Sequence, residues 1–322
     1  MDRLTMSYQP ATQPTMYFIG VTTGQSSIMR VFPRWSEELG LNAVIRGIDF
    51  VPNDAPERYR NAVAFIKDDP LSLGALVTTH KVNLLKASRE LFDELDPYAE
   101  TLGEISSISK RRSRLVGHAK DPITVGYSLE AIVEDGYWRH TGASLLVLGS
   151  GGSSMALTLY LHNKANGGGD VPARIVVTAR REQSLAEMKE VHQRIGFSIP
   201  IDYVVASEPA SADPIVAGLP VGSMVINATG LGKDRPGSPL TDAVLFPKHG
   251  IAWEFNYRGD LVFLAQANAA KARDSLRVED GWFYFIHGWT RVIAEVFDVD
   301  IPVSGPKFEQ LSRVAIDATK GK

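Results

Sequence analysis

The segment LLVLGSGGSSMALTLYL, residues 145–161, constrains the fold of this chain more than any other feature. A short apolar run ends in a glycine turn, and apolar residues then recur at helical spacing. Glycines after a strand allow a tight turn, and the free N–H groups of the following helix attract a pyrophosphate. The pattern therefore predicts a dinucleotide site in a doubly wound sheet. Its predicted cofactor contacts are Gly149, Ser150, Gly151, Gly152 and Ser153, and the third small position of G-x-G-x-x-G/A falls on Ser154.

Two arginines follow the next predicted strand, residues 173–178. An NAD-binding domain has an acidic residue at this place, which accepts hydrogen bonds from the ribose hydroxyls. This chain has Arg180 and Arg181 there. Guanidinium groups form charge-assisted, often bidentate hydrogen bonds with a phosphate, whereas the other interpretation of the pair is a solvated basic turn. The sequence therefore favours NADP over NAD as the cofactor.

Composition limits the class of protein. The 322 residues are 44% hydrophobic and 22% charged, which is ordinary for a globular chain with room for two domains. A net charge of −3 gives no indication of a nucleic-acid or membrane partner, and the absence of cysteine excludes disulfides and thiolate sites. No apolar run is long enough to span a bilayer, and the first residues lack the apolar core of a signal peptide. A soluble, cytoplasmic protein is expected.

Strand and helix patterns alternate along the chain, as in mainly parallel sheets. In the first half we predict strands at 16–20, 42–50 and 74–78 and a hairpin formed by 105–108 and 114–118. In the second half we predict strands at 145–148, 173–178, 201–205, 224–227 and 251–255. The predicted fold class is α/β with two domains, an N-terminal α/β domain followed by a Rossmann-type doubly wound domain.

Several short segments resemble those of one enzyme family. Val77-Thr78-Thr79-His80-Lys81 is similar to a VTxPxK segment, Gly117-His118-Ala119-Lys120-Asp121 to GxNTD, Asn227-Ala228-Thr229-Gly230-Leu231-Gly232 to NATxxG, and Asp280-Gly281 to a DG pair before a helix. Glu254 and Tyr257 stand where that family has an acid and, three residues on, a tyrosine. Together these segments resemble the shikimate/quinate dehydrogenase family from about residue 17 to residue 289.

The resemblance implies a two-domain NADP-dependent dehydrogenase. It divides the chain into a flexible N-terminal arm (1–15), a substrate-binding domain (16–122) completed by C-terminal helices (279–322), and an NADP-binding Rossmann domain (123–278). Lys81 and Asp121 are the implied catalytic pair: the lysine hydrogen-bonds the reacting oxygen, and the aspartate orients the lysine and stabilises its charge.

The same resemblance implies the remaining contacts. Asn227, Ala228 and Thr229 belong to the loop beside the cofactor. The implied substrate-binding residues are Ser26, Ser27, Thr78, Ser106, Tyr257 and His287.

The substrate positions depart from the family pattern. The family binds its substrate's carboxylate with two serines in an S-x-S-P segment; Ser26 matches the first, and Ile28 stands at the second unless Ser27 takes its place. Ser106 and Ala119 stand where the family has asparagines. These changes remove hydrogen-bonding groups from the predicted pocket, which alters its discrimination between substrates.

Three further positions bear on the same pocket. Gly288 stands where the family has a glutamine, beside His287, and the segment that carries Lys81 is one residue shorter than VTxPxK. Lys120 and His80 are the residues expected to bind an anionic group in compensation.

The leading functional hypothesis is reversible hydride transfer between NADP(H) and the secondary alcohol or ketone of a shikimate- or quinate-like hydroxy acid. The partner would be this small molecule, and a homodimer is left open. The alternative is a catalytically silent homologue that binds a dinucleotide or a shikimate-like ligand and acts as a sensor, although such a protein has no need of a Lys–Asp pair. A folate dehydrogenase is a third hypothesis, which leaves Asp121 after its hairpin unexplained.

Overall fold

The computed structural model describes residues 8–233 and 235–320, and it divides into two compact units. One contains the chain up to Lys120 together with the part from Gly288 onward, and the other contains Asp121–His287. The sequence prediction placed its two domain boundaries after residues 122 and 278, and these stay a prediction. The assignment of the units to substrate and cofactor stays a prediction.

Twelve strands and twelve α-helices lie within the described residues. The strands are β1 (Thr15–Gly20), β2 (Val44–Asp49), β3 (Ser72–Val77), β4 (Glu94–Leu95), β5 (Ser107–Arg111), β6 (Arg114–His118), β7 (Leu145–Leu148), β8 (Ile175–Ala179), β9 (Ile201–Val205), β10 (Met224–Asn227), β11 (Ile251–Glu254) and β12 (Arg277–Glu279). The helices are α1 (Ile28–Glu38), α2 (Pro56–Asp68), α3 (Lys81–Ser88), α4 (Pro97–Leu102), α5 (Asp121–Ile132), α6 (Tyr137–Thr141), α7 (Gly152–Asn166), α8 (Glu182–Arg194), α9 (Pro209–Ala217), α10 (Val262–Asp274), α11 (Trp282–Phe297) and α12 (Gly305–Lys320).

The first unit is built on a mixed sheet with the strand order β2-β1-β3-β5-β6-β4. β1 pairs in parallel with β2 and β3, whereas β5 runs antiparallel to both β3 and β6. β1 is buried along its whole length because it lies inside the sheet with covered faces, and edge strand β2 alternates between buried and more exposed residues. α1 packs against α12, and the indole N–H of Trp35 donates to the Leu311 carbonyl at 2.9 Å.

The segment before β1 is anchored from Tyr8 onward. The Ala11 N–H donates to the Asp69 carboxylate at 2.8 Å, and the ring of Tyr8 stacks on that of Phe65 with centroids 4.9 Å apart. These two contacts involve residues 8 and 11 of the predicted flexible arm, 1–15, whose flexibility stays a prediction. Residues 1–7 of that predicted arm lie outside the described residues.

The second unit contains six parallel strands in the order β12-β11-β10-β7-β8-β9. Counted from β7, this is the order 6-5-4-1-2-3 of the doubly wound dinucleotide-binding sheet. Successive residues of β7 enter the two cores on opposite faces of the sheet, Leu145 and Val147 on one and Leu146 and Leu148 on the other. The predicted fold class is confirmed. Ligands of such sheets bind at the carboxyl ends of the strands where the order reverses, here between β7 and β10.

Within residues 8–233 and 235–320, no helix combines the length and the apolar character that crossing a membrane requires.

Candidate functional site

The turn between β7 and α7 has a geometry that requires glycine. Gly149 has φ +111°, and a Cβ atom there would lie 2.8 Å from the Ala228 carbonyl oxygen. The hydroxyl of Ser154, which is fully buried, donates to the Gly149 carbonyl at 2.7 Å. Serine at the third small position therefore packs against the turn and also ties it to α7.

A cavity of about 350 Å³ lies at the carboxyl ends of the central strands of the second unit. It brings together seven of the predicted cofactor contacts with the loop that follows β9. These seven are Gly149, Ser150, Gly151, Arg180, Arg181, Ala228 and Thr229. Gly152 and Ser153 form the first turn of α7, whose N–H groups begin at this edge. A helix N-terminus, a glycine turn and two guanidinium groups are the donors that a phosphorylated dinucleotide needs, so the residues present fit the predicted cofactor.

Arg180 and Arg181 are exposed, and Arg181 stands immediately before α8 as its N-cap residue. A third arginine, Arg235, lines the same cavity from the loop after β10. Within the part of the chain that the structure describes, none of the three forms an ion pair with a carboxylate. Sequence reasoning missed Arg235, because a single arginine in an irregular loop has no pattern that marks it.

Asn227 forms its hydrogen bonds within the protein. Its side chain is fully buried and does not line the cavity. The carbonyl oxygen of its amide accepts from the Thr229 N–H at 3.1 Å and from the Thr229 hydroxyl at 2.7 Å. Its Nδ2 donates to Glu254 at 2.6 Å. These bonds occupy the amide, so Asn227 shapes the loop beneath the cavity, and its part in cofactor binding stays a prediction.

Glu254, the last residue of β11, is a carboxylate with no exposed surface. It accepts hydrogen bonds from the Asn227 and Asn256 side chains and from the Asn256 N–H at 2.8 Å. Burial raises the pKa of the Glu254 carboxyl to about 7, and the three hydrogen bonds oppose this rise. The family resemblance pointed to an acid here, and the structure adds that the acid underlies the loop after β10.

The predicted residues of the first unit gather at the carboxyl ends of β1 and β3. Thr78 donates to the Ile19 carbonyl through its N–H at 2.9 Å and through its hydroxyl at 3.3 Å, which joins the two strand ends. Thr79 follows with φ +49°, and the chain then enters α3 at Lys81, which is half-buried. Ser26 and Ser27, also half-buried, precede α1.

Two positions of the first unit differ from the substrate-binding motifs of the family. Ile28 is fully buried in the core, so this position presents no polar group. Ser106 is 3% exposed, and its hydroxyl accepts from the Lys120 N–H at 2.8 Å. This bond joins the start of β5 to the end of β6, and the substrate contact of Ser106 stays a prediction.

His80 and Lys120 have partners within the first unit. The Nε2 of His80 lies 3.2 Å from the Gly20 carbonyl, which can only accept, so Nδ1 accepts from the Tyr59 hydroxyl at 3.0 Å. Burial lowers the pKa of His80, which keeps the ring neutral. Lys120 Nζ donates to the Glu295 carboxylate at 2.7 Å. The expectation that Lys120 or His80 binds an anionic group stays a prediction.

The remaining predicted residues belong to the second unit. Asp121 is the first residue of α5 and is half-buried. The ring of Tyr257 packs on Phe285 of α11, with centroids 4.3 Å apart. His287 is 1% exposed, and its ring centroid lies 5.8 Å from that of Tyr127. Among the described residues, no group of acidic and histidine side chains is arranged to hold a metal ion.

Comparisons with known proteins agree with one another. The sequence is 29% identical over 224 residues to the shikimate dehydrogenase (NADP(+)) of Symbiobacterium thermophilum, a match that covers 68% of each chain. It is 32% identical over 190 residues to the shikimate dehydrogenase (NADP(+)) of Methanopyrus kandleri, covering 58% of this chain and 60% of the relative. No family model matches the sequence.

A solved structure shares the fold over almost the whole length. A shikimate dehydrogenase crystallised in complex with NADP+ matches with a TM-score of 0.71 and 19% identity, covering 97% of both chains. At this identity the likeness shows the fold. In sequence the chain is similar to shikimate dehydrogenases, and it has the fold of a solved member of that group.

Proposed function

We propose that the protein is an NADP-dependent oxidoreductase that transfers a hydride reversibly between NADP(H) and the secondary alcohol or ketone of a shikimate- or quinate-like hydroxy acid. The observation that carries this proposal is the cavity of the second unit, where the glycine turn after β7 and the arginines after β8 lie together. The names of the relatives, shikimate dehydrogenase (NADP(+)), support the same activity.

The chemistry divides between the cofactor and the chain. NADP, when bound, supplies the hydride acceptor. The N–H groups at the start of α7 would hold the pyrophosphate, and Arg180 and Arg181 the 2′-phosphate. We assign Lys81 the hydrogen bond to the reacting oxygen and Asp121 the stabilisation of the lysine's charge. Substrate contacts are proposed for Ser26, Ser27, Thr78, Tyr257 and His287.

The proposed partner is a small hydroxy acid, and neither a nucleic acid nor a membrane is proposed. A cytoplasmic location and assembly as a homodimer extend the proposal beyond the chemistry of the site. Sedimentation of the purified protein would test the homodimer, since a monomer has a mass of 35.2 kDa.

The test is NADP-linked turnover of shikimate and of quinate, followed at the NADPH absorbance. Lys81→Ala should reduce kcat by about 10²- to 10⁴-fold, the range for loss of a group that assists proton transfer. Lys86→Ala is the matched control, because Lys86 is an exposed lysine of the same helix. Equal turnover by the Lys81→Ala variant and the wild type would overturn the assignment of Lys81.

The silent-homologue hypothesis predicts a different result in the same assay. A protein of that kind would bind NADPH and show no hydride transfer with any hydroxy acid in a broad panel. The relatives are named as enzymes, and both Lys81 and Asp121 are present in this chain, so the enzymatic function is favoured.

A further inference from the structure

The loop after β10 is held from below by a buried carboxylate. Ala228, Thr229 and Leu231 line the cavity, whereas Asn227, Asn256 and Glu254 lie beneath them with 0–8% of their surface exposed. Among the described residues, no lysine, arginine or histidine is bonded to Glu254, and its carboxylate accepts hydrogen bonds from three N–H groups. Burial of a carboxylate that has no cationic partner costs free energy, so the presence of Glu254 beneath a loop that lines the cavity needs an explanation.

The hydrogen bonds form a chain from this carboxylate to the cavity. Asn227 Nδ2 donates to Glu254, so the amide carbonyl of Asn227 faces the other way and accepts from the N–H and hydroxyl of Thr229. The Thr229 hydroxyl in turn accepts from the Leu231 N–H at 3.1 Å. On the second branch, Asn256 Nδ2 donates to Glu254 at 2.7 Å and to the Leu231 carbonyl at 3.1 Å.

This arrangement favours an ionised carboxylate. Each oxygen of Glu254 accepts from at least one N–H donor, so a proton placed along one of those hydrogen bonds would point at another hydrogen. Rotation of the Asn227 amide would supply an acceptor for that proton, but it would turn the NH₂ group toward Thr229 and remove the acceptor that Thr229 uses. Protonation of Glu254 therefore opposes the present shape of the loop.

We propose that Glu254 is a positioning residue, whose charged carboxylate holds the 228–231 loop through Asn227 and Asn256 in the shape that receives the dinucleotide, and whose protonation releases that shape. This inference rests on the proposed function, because it assumes that the cavity binds a nicotinamide dinucleotide. Glu254 lies beneath the cavity and is not assigned a contact with cofactor or substrate.

The charged groups on neighbouring elements do not take over the positioning role that we propose for Glu254. Glu279 on β12 is paired with Arg277 at 2.6 Å, and the carboxylate of Asp280 accepts from the Trp282 N–H. Lys233 in the loop and Arg258 and Asp260 after β11 are the other charged residues of the described segments nearby in sequence. Burial raises the pKa of Glu254 to about 7 against the opposing effect of the three N–H donors, which places its titration near neutral pH.

The test is the dissociation constant of NADPH between pH 6 and pH 8 for the wild type and Glu254→Gln. If only the ionised form binds, the wild-type constant should rise about tenfold from pH 8 to pH 6, apart from the ligand's own phosphate titration. Glutamine places an NH₂ group against the same donors, so the variant should bind weakly throughout and show only the ligand's pH dependence. Glu279→Gln, a change on the adjacent strand, should keep the wild-type profile.

A second measurement does not depend on the ligand. Hydrogen exchange of the Thr229 and Leu231 amides in the free protein should lose protection below pH 7 in the wild type and at every pH in Glu254→Gln. Glu254→Asp keeps the charge, and it should retain the pH dependence if the glutamine variant fails to fold.

The outcomes separate the two proposals. NADPH binding with the same pH profile in the wild type and Glu254→Gln would overturn the role of Glu254 and leave the proposed function standing. A folded wild-type protein that binds neither NADPH nor NADH at pH 8 would overturn the proposed function, and this inference with it.

Discussion

Arg180 and Arg181 illustrate how much one pair of side chains decides at the residue scale. Both are exposed at the cavity, and neither forms an ion pair within the described segments, so their charge is available to a ligand. A free guanidinium beside the ribose favours a 2′-phosphate over the 2′-hydroxyl of NAD. An acidic residue at this place in the sequence would instead have indicated NAD.

Arg180→Ala should weaken NADPH binding about 10- to 100-fold, because a charge-assisted hydrogen bond contributes about 1.5–3 kcal/mol. NADH, which lacks the 2′-phosphate, should be affected less than about twofold. Titration calorimetry with both dinucleotides would measure the difference. Arg194→Ala, at the far end of α8, serves as the control. An equal loss for NADH and NADPH would contradict a 2′-phosphate role for Arg180.

The turn between β7 and α7 shows at the element scale that neighbouring glycines serve different purposes. Gly149 has a positive φ and packs against the backbone of Ala228, whereas a Cβ at Gly151 would meet no atom within 4 Å. Gly149 is therefore required by the fold. Gly151, at φ −80° and ψ −171°, leaves open space where the proposed function places a pyrophosphate.

Gly149→Ala should destabilise the protein by roughly 1–3 kcal/mol, because it forces strained backbone and a close contact. Gly151→Ala should have a free energy of unfolding within about 0.5 kcal/mol of the wild-type value, but it should bind NADPH at least about tenfold more weakly. Thermal denaturation and dinucleotide titration of the two variants measure both effects. Normal NADPH affinity in Gly151→Ala would argue against a pyrophosphate at this turn.

A buried histidine fastens α7, α8 and β9 to one another. The Thr158 hydroxyl donates to backbone carbonyls of α7, so it accepts from His192 Nε2 at 2.8 Å, and Tyr203 bonds Nδ1 at 2.6 Å. Phe197 stacks on the ring with centroids 4.4 Å apart. Burial, with a smaller contribution from His162, lowers the pKa of His192 to about 4.

Stability should fall as pH falls from about 6.5 to about 4. In this window the unfolded chain binds a proton at His192 that the folded protein excludes, which costs up to about 3 kcal/mol of unfolding free energy. Denaturant unfolding at several pH values measures the slope. His192→Gln should be less stable at pH 7 and should show a smaller slope, whereas His140→Gln, a change at an exposed residue of α6, should leave it unaltered. Equal slopes in all three proteins would rule out His192 as the source.

At the scale of the whole molecule, the chain forms two compact units, each with its own sheet and core. The connectivity is discontinuous, because the first unit is completed by residues from Gly288 onward, and α11 begins in one unit and ends in the other. A ligand that binds one unit stabilises that unit by mass action.

NADPH at about 100 times its dissociation constant should stabilise the unit Asp121–His287 by about 2.7 kcal/mol. Amides of this unit that exchange only through its unfolding should therefore exchange more slowly. The strands of the first unit, β1 to β6, should change far less. Hydrogen exchange with mass spectrometry on peptides from both units distinguishes the cases. Uniform protection along the chain would show that the units unfold together.

The sequence determined most of the element pattern, because that pattern is local. The predicted strands over 145–148, 201–205 and 224–227 coincide with β7, β9 and β10, and the hairpin is formed by β5 and β6. Apolar runs and glycine turns act over a few residues, so they are visible without a fold. The glycine turn and the arginines after β8 carried this local signal, and the tertiary structure brings both to the cavity of the second unit.

Only the tertiary structure decided which polar groups remain available for a ligand. Asn227, Ser106 and His80 each have partners far away along the chain or on a neighbouring element: Glu254, Lys120 and Tyr59. Arg235 joins the cavity, and Ile28 enters the core, for the same reason. Burial and hydrogen bonding depend on which distant segments come into contact. A single sequence shows the residue types but not those contacts.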